Sequence, residues 1–305
     1  MIPDITYLIL NYNPLGDGIA QDVLGATIDS FYARKSKKIA CEVFLLDQGT
    51  NAAHRQWLIG KQNEYNFSTL LLDGNIGISG AINRVARLSR SPVVALITSD
   101  VIVTTGMDED LFEKIQIPEV YQATPFTDKS DVDYQVWHPK EEFGSDNLDL
   151  EPLKKKGKSF FGKLFTSECA TYLRCIGCEL NVMFWRRSVF DKIGYFDERW
   201  KACYENNDFS LRCFLAGGCT AISRDSFVWH HHKMTEKSKA RDQVYRHQDW
   251  QQRITDDWNR KWCQVNKEID IYKLLRGKTI NDFGELYEKY KKNIYLGYDQ
   301  ISCSW

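Results

Sequence analysis

No apolar run in this chain of 305 residues approaches the roughly 20 that a helix needs to cross a bilayer, so no transmembrane helix is expected. Met1-Ile2-Pro3-Asp4 lacks the basic and apolar regions of a secretory signal, and the chain reads as cytoplasmic. Charge of one sign is lacking too: the net charge is −1, so no bulk field draws the protein to nucleic acid or to an anionic membrane. Nine cysteines, an odd number, do not make a fully paired secreted framework, and reduced, buried thiols are expected. The one C-x-x-C, Cys175-Ile176-Gly177-Cys178, has no second pair to complete a zinc site. Also missing are G-x-x-x-x-G-K-[ST], which excludes a Walker-type triphosphatase, and G-x-G-x-x-G after the first strand, which disfavours a nicotinamide cofactor. There is no internal repeat.

What is present is an ordinary globular composition, 43% hydrophobic and 27% charged, in an alternating pattern. Apolar, β-rich runs at Tyr7 to Leu10, Val43 to Leu46, Thr69 to Leu72 and Val93 to Ile97 read as strands. Between them, residues 19 to 38, 52 to 65 and 78 to 90 carry helical periodicity. Such a rhythm calls for a parallel sheet with right-handed crossovers. Each strand then ends in polar residues on one edge, where ligands of open α/β sheets bind, so that Tyr12, Asn13, Asp47, Asn75 and Asp100 converge. The Thr98-Ser99-Asp100 triplet, set between two apolar runs, places a carboxylate where it can hold a divalent cation; Asp is also a common turn residue.

Further along, residues 125 to 165 are polar and include Lys154-Lys155-Lys156, as in a flexible loop or insertion. Val182 to Trp185 reads as a strand, Arg187 to Ile193 as a short helix closed by Gly194, and Ser210 to Ala216 as a helix preceded by Glu205 and Asp208. Thr220 to Ser223 reads as a last strand, and Phe227-Val228-Trp229 leads into His230-His231-His232. Two separated acids and an imidazole suit a divalent ion bridging a diphosphate, with a further carboxylate to take a proton.

In order and spacing these residues resemble the family 2 glycosyltransferases. Tyr7 to Asn13 is similar to that family's first strand and Tyr-Asn turn, and Val43 to Asn51 to its second strand and Asp-Asn-Gly-Ser turn. Asn75 to Arg84 resembles the Asn-x-Gly-Phe-Ala-x-Ala-x-Asn segment of rhamnosyltransferase-like members. Thr98-Ser99-Asp100 matches the Asp-x-Asp metal motif in position, and Arg187 to Glu198 the Arg-x-x-Phe-x-x-x-Gly-x-Phe-Asp-Glu segment. Tyr204 to Arg212 resembles the Glu-Asp-x-Asp-Leu-x-x-Arg helix start, Val228-Trp229-His230 a Val-x-His metal ligand, and Lys261-Trp262 a late Lys-Trp pair.

The resemblance implies a GT-A fold: an α/β domain with a mostly parallel central sheet over residues 1 to 265, followed by a helical extension over 266 to 305. It implies an inverting transferase that moves a sugar from a UDP- or dTDP-sugar to a hydroxyl of a glycan, lipid-linked or protein acceptor, in surface polysaccharide biosynthesis, with peripheral membrane association compatible with that role. Tyr12, Asn13 and Asp47 would hold the nucleoside; Asn75, Gly77, Asn83 and Ser99 would line the nucleotide-sugar pocket; Asp100 and His230 would bind Mn²⁺ or Mg²⁺. The sequence departs from the pattern twice. Thr98 replaces the first acid of the metal motif, and Asn206 stands where the family has its catalytic base. Either Glu205 or Asp208 then takes over, Glu205 by adjacency, or the fold serves as a non-catalytic nucleotide-sugar binder.

Overall fold

A computed structural model describes residues 2–130, 135–136, 172–231 and 248–263. The first half is the expected alternation: β1 (Ile5–Asn11), α1 (Gly18–Arg34), β2 (Cys41–Gln48), α2 (Ala52–Glu64), β3 (Ser68–Leu72), α3 (Gly77–Leu88) and β4 (Val93–Ile97). Strands β3, β2, β1 and β4 lie side by side in that order and are all parallel. Their carboxyl ends therefore share one edge, as expected. Register makes the convergence concrete, since Asn11 is paired with Asp47 across β1 and β2.

Beyond β4 the sheet becomes mixed. After β5 (Val101–Val103) and α4 (Met107–Ile115) come β6 (Val120–Thr127), β7 (Tyr172–Cys175) and β8 (Val182–Arg186). The described chain continues through α5 (Arg187–Ile193), α6 (Glu205–Leu215), β9 (Cys219–His230) and α7 (Gln248–Trp258), which runs into a π-helical turn at Asn259–Cys263. β8 pairs antiparallel with β4 and β6, whereas β6 and β9 run parallel. β5 and β7 pair antiparallel with β9 at opposite ends of its length.

Three expectations need correction. Residues 125 to 127 are the end of β6, fully buried and paired with β9, so the polar insertion cannot start at 125. Thr220 to Ser223 and Phe227 to Trp229 are one strand, because a bulge opposite Pro125 and Phe126 lets β9 continue past its polar middle. Helix α6 begins at Glu205 rather than Ser210, so Glu205 and Asp208 lie in its first turn, where negative charge suits the helix dipole. Lys154 to Lys156 and the extension over 266 to 305 lie outside the described residues.

Alternation along the strands creates two cores, one on each face. One packs Tyr7, Ile9, Val43, Leu45 and Ile97 against Leu24, Ile28 and Phe31 of α1, Leu58 of α2 and Met107 and Leu111 of α4. The other packs Leu8, Leu46, Leu96, Met183 and Trp185 against α3, α5 and α6 through Ile82, Val85, Phe190 and Phe209. The result is a helix-sheet-helix sandwich in which α6 rides on one face.

Candidate active site

Asp100 and His230 meet at this edge. β5 and β9 pair Val101 with His230, which brings the turn after β4 against the end of β9, and His231 N–H donates to the Asp100 carbonyl at 2.7 Å. His230 Nε2 lies 3.4 Å from Asp100 Oδ2. On its other side the His230 Nδ1 is 3.0 Å from the Lys129 carbonyl, and its backbone N–H donates to Asp128 Oδ1 at 2.7 Å. A carbonyl partner requires the proton on Nδ1, which turns Nε2 toward Asp100. Burial alone would disfavour the imidazolium, but the hydrogen bond and charge of Asp100, with Glu179 adding, raise the His230 pKa to about 9. For Asp100, burial works to raise the pKa, but the hydrogen bond and charge of His230, with a further hydrogen bond from Thr98, hold it below its ordinary value.

This pair fits a divalent ion. A carboxylate oxygen and an imidazole nitrogen are both ligand types for Mn²⁺-like ions, and here they face each other at 3.4 Å. The locked Nδ1–H leaves Nε2 as a lone-pair donor once an ion displaces its proton. Among the described residues no cluster of three or more His, Cys, Asp or Glu could hold a metal. Of the three histidines, His231 is exposed, and His232 lies outside the described residues.

Glu205 is the other notable group. The residue is half-buried, and its Oε2 is enclosed and has no hydrogen-bond partner among the described residues. Burial raises its pKa to about 7, partly offset by its own backbone N–H. The preceding residues, Cys203 and Tyr204, have φ of 64° and 63°, a left-handed conformation that costs free energy for residues with a Cβ and concentrates at functional sites. Asn206, at the family's base position, is wired into the fold instead. Its amide donates to the Cys178 carbonyl, and its Oδ1 accepts from Ser210, which in turn accepts from Gln122. Asp208 is not available for proton transfer either. It is fully buried, with Arg212 Nε at 3.0 Å, Trp262 Nε1 at 2.9 Å and Lys261 Nζ at 2.6 Å. Of the two carboxylates expected to take a proton, only Glu205 has an unused oxygen.

Several residues expected to contact the nucleotide also hold the loops together. Asp47 is fully buried and accepts from Asn11 Nδ2 at 2.8 Å, Thr50 at 2.9 Å and Arg55 at 3.3 Å. Asn13 clamps its own loop, donating to the Asp17 carbonyl and accepting from Asp17 N–H. Asn75 accepts from Gly77 N–H, while Gln48 accepts from Ile76 N–H. Asn83 grips residues 196 to 198: its amide donates to the Phe196 carbonyl and Glu198, and its oxygen accepts from Phe196 N–H. Gly77 has φ +79°, and a Cβ there would sit 2.5 Å from Lys201 Cα, so the close crossing of the two loops requires glycine. Tyr12 and Ser99 are half-buried at the same edge.

The family profile for "Glycosyl transferase family 2" matches residues 8–228. The chain belongs to glycosyltransferase family 2. No curated protein matches it in sequence. Among solved structures it is similar to the mannosyltransferase PcManGT from Pyrobaculum calidifontis in complex with GDP-Man and Mn²⁺, at 12% identity and TM-score 0.52 over 75% of this chain and 57% of that one. It is also similar to GalNAc-T7 with UDP, GalNAc and Mn²⁺, at 13% identity and TM-score 0.57 over 99% of this chain and 57% of that one. S. aureus TarS 1-349 in complex with UDP follows at 13% identity and TM-score 0.50, over 74% and 60%. The chain thus spans somewhat more than half the length of each. At such identities the likeness establishes the GT-A fold, and the profile match establishes the family.

Residues that matter here but carry no motif in the sequence include His54, Asn181 and Glu179. His54 is buried between Gln21 Oε1 at 3.3 Å and Asn11 Nδ2 at 3.2 Å; burial lowers its pKa despite the nearby Asp47 charge, so it stays neutral. It thereby supports the same Asn11 amide that braces Asp47. A lone histidine on a helix face gives no such signal in one dimension. Glu179 adds negative charge near His230.

Proposed function

We propose that this family 2 glycosyltransferase is an inverting, divalent-metal-dependent enzyme. It transfers a sugar from a nucleoside-diphosphate donor to a hydroxyl of a glycan or glycoconjugate acceptor, in surface polysaccharide biosynthesis. The observation that carries the reading is the contact between Asp100 and His230, two groups able to hold an ion; it is supported by Glu205, whose enclosed, unpaired oxygen and pKa of about 7 suit a general base. UDP and dTDP donors fit the family resemblance, and the solved neighbours carry UDP or GDP-Man.

In this mechanism Asp100 and His230 would hold Mn²⁺ or Mg²⁺, whose chemistry when bound would be to offset negative charge on the departing diphosphate. Glu205 accepts the proton of the acceptor hydroxyl as its oxygen bonds to the anomeric carbon and the bond to the diphosphate breaks. The buried Asn206 and Asp208 keep the first turn of α6 in place while this occurs.

Asn206 favours one other reading, a nucleotide-sugar binder without catalysis. Release of nucleoside diphosphate from a panel of UDP-, dTDP- and GDP-sugars, with and without Mn²⁺, separates the two. Transfer or hydrolysis that requires Mn²⁺ supports the enzyme; Mn²⁺-dependent binding with no release on any acceptor supports the binder. Asp100→Ala should abolish Mn²⁺-dependent donor binding, and unchanged affinity in Mn²⁺ would remove its metal role.

A further inference from the structure

Asn181 sits beside the metal-binding turn, and its side chain is only half used. β8 runs antiparallel to β4 with Val182 opposite Ile97, and the ladder continues one step further: the Asn181 carbonyl accepts from Thr98 N–H at 2.9 Å and from the Thr98 hydroxyl at 3.1 Å. The side-chain Oδ1 accepts from Val182 N–H at 2.6 Å. Its Nδ2 is buried and has no partner among the described residues, although Asn181 has no exposed surface. A buried amide donor left unpaired costs about 1–3 kcal/mol and calls for an explanation, which an absent ligand can supply.

Position says what such a donor could serve. Val182 packs into the core on the α1 face and Met183 into the core on the α6 face, so Asn181, one step before Val182, has the parity of the α6 face. The short loop from Cys178 to Asn181 joins two parts of the site: Asn206 of α6 donates to the Cys178 carbonyl, and Thr98 donates to the Asn181 carbonyl. Asn181 is thus tied to Thr98, two residues before Asp100, and through its loop to Asn206, the neighbour of Glu205. Glu205 Oε2 is a second buried polar atom without a partner. One is a donor and the other an acceptor, and a polyhydroxylated ligand offers both complements.

We propose that Asn181 is a recognition residue for the transferred sugar, its amide N–H donating to a hydroxyl of the glycosyl group while the nucleoside diphosphate is held elsewhere. The proposal rests on the glycosyltransferase reading above and adds to it the residue that tells a sugar nucleotide from the bare nucleotide. Thr98 strengthens the case, because its backbone and hydroxyl both fix the Asn181 main chain and so set where the amide can reach.

The test is calorimetric titration of the full chain in Mn²⁺ with UDP, dTDP and GDP and with a panel of their sugar conjugates, on the native protein, Asn181→Ala and Asn181→Leu. Thermal unfolding checks that each variant folds, and Asn181→Ser replaces either one that does not. The expected result is nucleoside diphosphate affinity within twofold of native, with affinity for the matching sugar nucleotide reduced about tenfold, the scale of one lost hydrogen bond in a buried site. Unchanged sugar-nucleotide affinity, or equal losses for nucleotide and sugar nucleotide, overturns the assignment to Asn181 alone. Native protein that binds no member of the panel overturns the glycosyltransferase reading and the inference with it.

Discussion

At the scale of single residues, the site is defined by which polar atoms are used and which are left over. Asp47, Asn13, Asn83 and Asp208 look like ligand residues when taken by position, but their polar atoms are engaged by neighbouring protein groups. Glu205 keeps an oxygen in reserve, which is why the proposed function gives it the proton chemistry. Glu205→Gln should leave donor binding intact and lower transfer by about a hundredfold or more, measured as kcat at saturating donor. Native activity should rise with pH along a limb near 7 as Glu205 ionises. Stability changes in the opposite direction. The Glu205 pKa is raised on folding from 4.5 to about 7, so its contribution is fully present below 4.5 and lost as pH rises through 7. Denaturant titrations should show the native protein losing about 3 kcal/mol more than Glu205→Gln between pH 4.5 and 8.

At the scale of elements, the first turn of α6 is held by parts of the chain distant in sequence. Lys261, in the π-helical turn after α7, bridges Asp208 at 2.6 Å and Asp197 at 2.9 Å with little exposure of any partner. Arg199 and Lys261 together outweigh burial and hold Asp197 well below the usual carboxylate range. The same segment stacks Trp258 on Tyr204, ring centroids 4.7 Å apart, directly before Glu205. Lys261→Met should cost about 3–5 kcal/mol in urea unfolding, because it leaves buried carboxylates short of a cation. A cost below 1 kcal/mol would mean that this clasp contributes little. Gly77→Ala should destabilise by more than 1 kcal/mol, since it meets both a positive φ and the Lys201 backbone.

At the scale of the whole molecule, two cores on opposite faces make one sheet rigid and leave its carboxyl edge for ligands. Among the described residues no helix is long and apolar enough to cross a membrane. A ligand that binds only the folded chain stabilises it by mass action. Mn²⁺ with a matching nucleoside diphosphate at 100 times its Kd should therefore add about 2.7 kcal/mol, seen as a rise in Tm that chelation reverses. On the proposed reading Mn²⁺ alone should add much less, since among the described residues Asp100 and His230 are the ligands proposed for the ion. A rise of equal size without nucleotide would indicate a complete metal site within the protein.

Local sequence determined the parallel half of the sheet. Four unbroken apolar runs separated by helical periods admit little else, because crossover handedness and burial on both faces constrain them. It also brought Asp100 and His230 into consideration, through residue type and order. Only the tertiary structure decided the rest. Whether Thr220 to Trp229 is one strand depends on a bulge partner about a hundred residues away, and whether Pro125 is loop or strand depends on the same pairing. Spacing does not distinguish Glu205 from Asp208, since both are acids in one helical turn; what the tertiary structure adds is that Arg212, Lys261 and Trp262 close on Asp208 while a Glu205 oxygen stays unpaired, and the proposed base follows from that difference. Side-chain type says what a residue can do, whereas the fold decides whether its atoms are already committed.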